Sequence, residues 1–304
     1  MRRDTAERFG GAMIEGAILP SLLALIMFGV GLDLRVQSKP FEYLKWRPVL
    51  AGIAGVAILL PAAGVAVAMG FDGDPAFRAG LILLAISPVG LLAGPVAARA
   101  GQNVALAVML TLCTSIIYLL LAPPLIVTLL RFTGASVNHL TLPANLLLGK
   151  ILIVTVLPSL AGALLALRDP TEAARLSRPL GRVTTPALAA VLAWIIIDNR
   201  EILLGASTQL IVAILLIDVA AVVIATALGR VCRLETRDQG ALIYAHLVRQ
   251  EGTGIFIAAS LLAMPAAAVP LIANTVIGLL FCSVVWAKRL TSGEESVDRH
   301  RQAC

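Results

Sequence analysis

The stretches Ser87-Pro88-Val89-Gly90, which runs on to Gly94-Pro95, and Glu251-Gly252-Thr253-Gly254 interrupt two otherwise apolar segments of this chain. Backbone freed from a helix inside a bilayer has no water to bond, so a break survives only where protein surrounds it or where it lines a cavity. Interrupted helices at corresponding positions of two halves are typical of secondary transporters, in which they form the binding site. The two stretches therefore predict where the functional site lies.

The composition is that of a membrane protein. Hydrophobic residues make up 59% of the 304 residues, charged residues only 14%, and the mean hydropathy is +0.93, whereas soluble domains are typically ~25% charged. Apolar runs of about 20 residues are long enough to cross ~30 Å of hydrocarbon as helices. We predict an all-α polytopic protein with nine membrane-spanning segments, at 12–34, 48–70, 79–99, 103–130, 143–167, 183–198, 203–229, 239–263 and 267–287.

The predicted segments form two related halves. Segments one to four pair with segments six to nine, so that the interrupted third segment matches the interrupted eighth. Five crossings separate each pair, and the halves are therefore inverted relative to each other. We expect a single membrane domain over 1–304, with a first half at 12–130, a linking helix at 143–167 and a second half at 183–287.

Basic residues predict the orientation. With the C-terminus in the cytoplasm, sixteen of the 24 lysines and arginines fall in inner loops and the inner tail, and six fall outside, as the positive-inside rule requires. The longest predicted loop, Arg168 to Arg182, is an inner one. The net charge of +6 is accounted for by these loops and the anionic lipid headgroups beside them, so we expect the bilayer and no nucleic acid as a partner.

Several stretches carry a family resemblance. They are SLLALIMFGVGLDL at 21–34, GLIL at 80–83 followed by Ser87-Pro88, GQNVALA at 101–107, Pro61, and Gly254-Ile255. Together they resemble the bile acid:sodium symporter family over roughly residues 20 to 290. The resemblance implies a panel domain and a core domain, with two broken helices that cross near the midplane of the core. It also implies a carrier of a small organic anion that works by alternating access in the bacterial inner membrane. Bacterial members usually have ten helices, and the alignment with them implies that this sequence lacks the first.

The sodium sites that the resemblance implies are altered at the first break. Where the family has a serine and an asparagine, this sequence aligns Ala93 and Gly94. On the next helix, where the family has a serine and a threonine, it has Ala107 and Thr111. Only Thr111 keeps its side-chain oxygen.

The residues at the second break also differ from the family's pattern. The family's glutamate aligns with Leu247 and its glutamine with Glu251, while Gln250 falls where the family uses a backbone carbonyl; a further glutamine aligns with Val56. Hard cations need several oxygen ligands, so we do not carry sodium coupling over. The coupling ion that we expect is H⁺ or Na⁺, with Thr111, Gln250 and Glu251 as ligands if sodium binds, and no other cofactor.

Glu251 and Arg249 are the charged residues beside the second break. A carboxyl group at mid-depth costs roughly 2.5 to 3.5 kcal/mol on insertion scales unless it is paired or protonated. Glu251 is therefore interpreted as a proton-titrating or cation-coordinating group, or as the partner of Arg249. A guanidinium presents a planar fork of donors, so Arg249 is interpreted as holding a substrate carboxylate, or as pairing with Asp218 or Glu251.

The remaining candidates are polar residues in apolar surroundings. Asp218 aligns near a core-facing asparagine of the family, and its alternative role is that of a buried partner for Arg249 or Lys150. Asn103 matches the family at the start of a helix, where an asparagine also serves as a cap. No role is assigned to His246. The predicted substrate or ion site comprises Glu251, Gln250, Arg249, Thr253, Thr111, Gly94, Pro88, Asn103 and Asp218.

The sequence also bears on functions other than that of a carrier. The sequence contains no GxSxG or HExxH motif, its histidines at 139, 246 and 300 cannot form one local site, and its four cysteines form no CxxC pair. We therefore do not expect an enzyme or a metal site. An arsenite-type or auxin-type efflux permease is the alternative carrier, although the arsenite type uses a cysteine near the first break, where this chain has Ser87. A non-transporting sensor or scaffold is the third hypothesis.

Overall fold

The computed structural model of the chain describes residues 19–36, 45–72, 74–90, 92–132, 153–154, 157–198, 208–262, 264–278 and 280–284. Regular structure in these ranges is helical, apart from one isolated antiparallel bridge between Val89 and Arg249. The helices are α1 Leu19–Val36, α2 Trp46–Met69, α3 Pro75–Ile86, α4 Ala93–Arg99, α5 Val104–Phe132, α6 Leu157–Arg168, α7 Pro170–Asp198, α8 Thr208–Val231, α9 Thr236–Leu247, α10 Glu251–Phe256 and α11 Ala266–Val284. The prediction of a helical protein is confirmed.

Three of the described helices are long and apolar enough to cross a membrane, namely α2, α8 and α11. Shorter apolar helical stretches are α3, Pro75–Ile86, and the part of α5 at Val104–Tyr118. These helices are consistent with a polytopic membrane protein, and the count of nine segments stays a prediction. The first part of the predicted segment at 143–167, residues 143–152 including Lys150, lies outside the described residues.

Buried apolar side chains form two clusters. The larger cluster joins α2, α3, α5, α8, α9 and α11, and residues of α3 such as Leu81 and Leu84 are almost fully buried in it. The smaller cluster consists of Leu32, Ala166 and Ala173, from α1, α6 and α7. The two broken helices, described below, belong to the larger cluster.

The segment predicted as an inner loop, Arg168 to Arg182, is mostly helical. Helix α7 begins at Pro170, and Asp169 before it accepts hydrogen bonds at its Oδ1 atom from the backbone nitrogens of Thr171 and Glu172, both at 3.0 Å. An aspartate cap followed by proline at the first helical position is a strong start signal. Hydropathy detects apolar segments, so the helical structure of this polar stretch was not predicted, and its place on the inner side stays a prediction.

Helices α2 and α3 approach each other closely at Gly64. An alanine there would place its methyl carbon 2.0 Å from the Cβ atom of Ala85. Overpacking of this kind costs about 1–3 kcal/mol, so we expect Gly64→Ala to lower the thermal midpoint of the purified protein by several degrees. Gly70→Ala is the matched control, since its nearest described neighbour, the carbonyl oxygen of Val67, would be 3.6 Å away. Equal midpoints for the two variants would contradict this packing.

Candidate functional site

The connections within two interrupted helices meet, at a point called the crossing below, and satisfy each other's backbone. Helix α3 ends at Ile86 and α4 begins at Ala93, while α9 ends at Leu247 and α10 begins at Glu251. Where the two connections meet, the nitrogen of Gly90 donates to the carbonyl of Val248 at 2.8 Å, and the nitrogen of Gln250 donates to the carbonyl of Pro88 at 3.0 Å. The breaks thus form a two-bond antiparallel bridge, which supplies partners that a bilayer interior lacks.

The second break lies three residues before its predicted position. The connection is Val248 to Gln250, and Gly252, Thr253 and Gly254 belong to α10. A Cβ atom on Gly254 would lie 2.2 Å from the Leu271 side chain, so this glycine allows close packing and does not interrupt the helix. At the first break, Gly94 and Pro95 likewise lie in the first turn of α4, where proline is tolerated.

Two threonines of α5 hold the first break. The nitrogen of Val89 donates to the Oγ1 atom of Thr114 at 3.1 Å. The hydroxyl of Thr111 lies 3.3 Å from the carbonyl oxygen of Gly90 and 3.1 Å from that of Ala107. Thr111 was a candidate, whereas Thr114 was not, although it lies three residues from Thr111 on the same helix face.

Arg249 bonds to the carboxyl end of α3. Its Nη2 atom donates to the carbonyl oxygens of Ser87 at 2.7 Å, Leu84 at 3.3 Å and Ala85. Its Nη1 atom donates to the carbonyl of His246 at 3.4 Å. These carbonyls lie at helix ends, where the last four have no partner inside the helix. Within the described ranges no carboxylate oxygen lies within 4.0 Å of this guanidinium, so the alternative of a direct ion pair with Asp218 or Glu251 is not formed.

Glu251 pairs with an asparagine that sequence reasoning missed. The Nδ2 atom of Asn274, on α11, donates to Oε1 of Glu251 at 2.9 Å. Asn274 is fully buried, and its Oδ1 atom has no partner among the described residues; the same holds for Oγ1 of buried Thr253. A single amide in an apolar membrane segment is itself a functional signal, and it could have identified Asn274.

Asp218 and His246 complete a group of buried polar side chains. Asp218 is 3% exposed, its Oδ2 atom has no described partner, and it interacts electrostatically with Arg249 and Glu251. His246 is fully buried, with Nδ1 2.7 Å from the carbonyl of Leu242. Its Nε2 atom occupies the space that a Cβ atom on Gly55 would need, in a π-helical part of α2. Such π-helical turns are frequent at functional sites.

Gln250 extends from the crossing toward α1. Its Nε2 atom lies 3.6 Å from the sulfur of Met27, a weak acceptor. Helix α1 also packs against α6 and α7 around the smaller cluster. Gln250 is thus a predicted site residue that contacts α1.

Asn103 lies apart from the crossing. Its Oδ1 atom accepts from the nitrogen of Leu106 at 3.1 Å, which is a helix cap, and its Nδ2 atom donates to Asp238 at 2.7 Å. It precedes Thr111 by eight residues, about 12 Å along a helix.

Lys45 and Glu235 form an exposed ion pair. Their mutual hydrogen bond raises the pKa of the lysine and lowers the pKa of the glutamate. These contacts connect helix ends and bring no further charge to the site.

The arrangement suits the binding of ions and polar groups. Among the described residues no three His, Cys, Asp or Glu side chains are grouped to hold a metal ion. The crossing instead brings together one guanidinium, a carboxylate, an amide and backbone carbonyls, with a second carboxylate in electrostatic range.

Gly90 is the residue on which the close approach of the two breaks depends. A Cβ atom there would lie 2.6 Å from the backbone oxygen of Arg249. We expect Gly90→Ala to separate the breaks and to lower the thermal midpoint of the purified protein strongly. Gly252→Ala is the control, because no described atom would lie within 4 Å of its Cβ and alanine favours the helix by up to ~1 kcal/mol. A Gly90→Ala protein as stable as the Gly252→Ala protein would argue against the bridge.

Comparisons with known proteins identify the family. The sequence model of the Sodium Bile acid symporter family matches residues 20–206, more than half of the chain. A Bacillus subtilis protein named as the uncharacterized sodium-dependent transporter YocS is 24% identical over 253 residues, which cover 82% of this chain and 75% of that protein. The probable sodium/metabolite cotransporter BASS1 of Arabidopsis thaliana chloroplasts is 22% identical over 263 residues, 86% of this chain and 64% of that protein. The predicted resemblance is thus confirmed, and the chain is a membrane protein that belongs to the sodium bile acid symporter family.

Proposed function

We propose that this protein is a secondary transporter that moves a small organic anion across the membrane by alternating access. The observation that carries the proposal is the bridge between the two broken helices, with Glu251 and Arg249 beside it. In transporters, discontinuous helices of this kind form substrate and ion sites near the bilayer midplane. An organic anion is favoured because the family is described by its bile acid substrates, which are themselves organic anions.

The architecture that we propose is the one expected from the sequence. It has nine crossings, inverted halves at 12–130 and 183–287 joined by the helix at 143–167, and a cytoplasmic C-terminus in a bacterial inner membrane. The antiparallel arrangement of the two breaks supports the inversion, since the chain runs through them in opposite directions. The apolar helices α2, α8 and α11 support several crossings.

Glu251 is the group that we propose to bind the coupling cation, H⁺ or Na⁺. If both Asp218 and Glu251 are ionised, the two carboxylates and the Arg249 guanidinium sum to one negative charge. Uncompensated charge is costly inside a membrane, and one bound cation neutralises it. The absence of side-chain oxygens at Ala93, Gly94 and Ala107 favours a proton, whereas the names of the two relatives favour sodium.

Transport into proteoliposomes tests the function. A panel of labelled organic acids is offered to the reconstituted protein, with pH and sodium gradients imposed separately. We expect at least one acid to accumulate under a pH gradient, and sodium-driven uptake would assign Na⁺ as the coupling ion. If no acid moves under either gradient or in exchange, the carrier proposal fails and the non-transporting hypothesis replaces it.

Glu251→Gln tests the coupling role directly. This variant cannot titrate but keeps the size and hydrogen-bonding capacity of the side chain, so we expect gradient-driven uptake to fall at least tenfold while exchange of labelled for unlabelled acid continues. Glu172→Gln is the control, because Glu172 is an exposed residue of α7 that pairs with Arg175. Unchanged gradient-driven uptake by Glu251→Gln would show that another group binds the coupling ion.

A further inference from the structure

One guanidinium joins the carboxyl ends of both broken helices. The carbonyl oxygens of Leu84, Ala85 and Ser87 belong to the end of α3, and that of His246 belongs to the last turn of α9. All four accept hydrogen bonds from Arg249, whose side chain is 6% exposed. The positive charge is thus buried among backbone oxygens that come from two separate helices.

This is the environment in which a transporter would hold a free cation. A helix carries roughly half a negative charge at its carboxyl end, so two such ends together carry about one. In transporters with discontinuous helices, unwound carbonyls and the carboxyl ends of half-helices are the groups that coordinate Na⁺. The charge of one guanidinium matches the charge that these two ends present.

Sodium does not fit beside this side chain. The nearby carbonyl oxygens already accept bonds from the guanidinium, and a second cation would meet a like charge at close range. The residues that follow the first break, Ala93 and Gly94, offer no side-chain oxygen as a replacement ligand.

We infer that Arg249 is a resident cation, which occupies the place that a sodium ion would take at the carboxyl ends of α3 and α9. The position is then permanently filled, so the two broken helices stay paired without a bound ion. For its consequence in transport the inference rests on the proposed function, because it leaves Glu251 as the position for a coupling cation. Its test needs no transport substrate.

The test compares the thermal midpoint of the full-length protein, purified in detergent, in equal concentrations of sodium, potassium and choline chloride. The variants are Arg249→Ala and Arg249→Lys, with Arg99→Ala as a matched control, since Arg99 is exposed at the end of α4. We expect Arg249→Ala to have a lower midpoint in choline chloride and to regain several degrees with sodium in a saturable way. We expect the wild type, Arg249→Lys and Arg99→Ala to gain clearly less from sodium, because the proposed position of the resident cation stays filled in them.

A merely structural role for Arg249 gives different results. Dilute guanidinium chloride, well below denaturing concentrations, reports whether the space left in Arg249→Ala can be reached by a cation. If guanidinium restores the midpoint of that variant and sodium does not, the site accepts donors but no sodium, and the inference is overturned. An equal sodium effect on the wild type and on Arg249→Ala overturns it as well.

A second measurement applies if Arg249→Ala does not fold. The midpoint of Glu251→Gln, which keeps Arg249 but has lost the proposed coupling carboxylate, is measured in the same salts. We expect this variant to be insensitive to sodium. A saturable, sodium-specific rise in its midpoint would show that Na⁺ binds with the guanidinium in place, which contradicts the inference. None of these results depends on whether the chain transports an organic acid.

Discussion

The structure depends on one constraint, which is that backbone groups released from two broken helices must find partners inside an apolar core. The breaks meet this constraint by pairing with each other, through the bonds of Gly90 to Val248 and of Gln250 to Pro88. Thr114 supplies an acceptor for the remaining nitrogen at Val89. Because each break is the other's partner, neither helix can be interrupted alone, and the close approach of the two connections follows from this pairing.

The charges of the site follow from the same crossing. Two helix carboxyl ends converge there, and the guanidinium of Arg249 supplies donors and positive charge to both. Two carboxylates are in electrostatic range of this guanidinium. One is that of buried Asp218, and the other is that of Glu251, which accepts a hydrogen bond from the side-chain amide of Asn274. A buried charge in this environment is stable only when nearby charges of opposite sign compensate it. A change in the charge of one of these residues therefore alters the net charge that the others must compensate.

The side chains around the breaks differ from those that the family resemblance implies. This chain keeps the crossing and the glycine that allows it, while most side-chain oxygens that the family resemblance implies for sodium are replaced by apolar residues. Its buried polar groups lie at other positions: Asn274 on α11, Asp218 on α8 and Thr114 on α5. The carbonyl oxygens at the breaks do not depend on these side chains, because they belong to the main chain.

Several features could be predicted from the sequence because they depend on neighbouring residues. Hydropathy runs indicated the membrane class, the stretches at 21–34 and 80–107 indicated the family, and Ser87-Pro88 marked the first break, since proline cannot continue a helix hydrogen-bonded ladder. Other features depended on residues far apart in the chain. The second break lies at Val248–Gln250 and not at the predicted glycines, because Gly254 is needed for close packing against Leu271. Arg249 donates hydrogen bonds to carbonyl oxygens of residues more than 160 positions away in the sequence. Adjacent residues determine the local backbone conformation. The partner of a buried donor depends on the tertiary fold, because distant parts of the chain supply the acceptor.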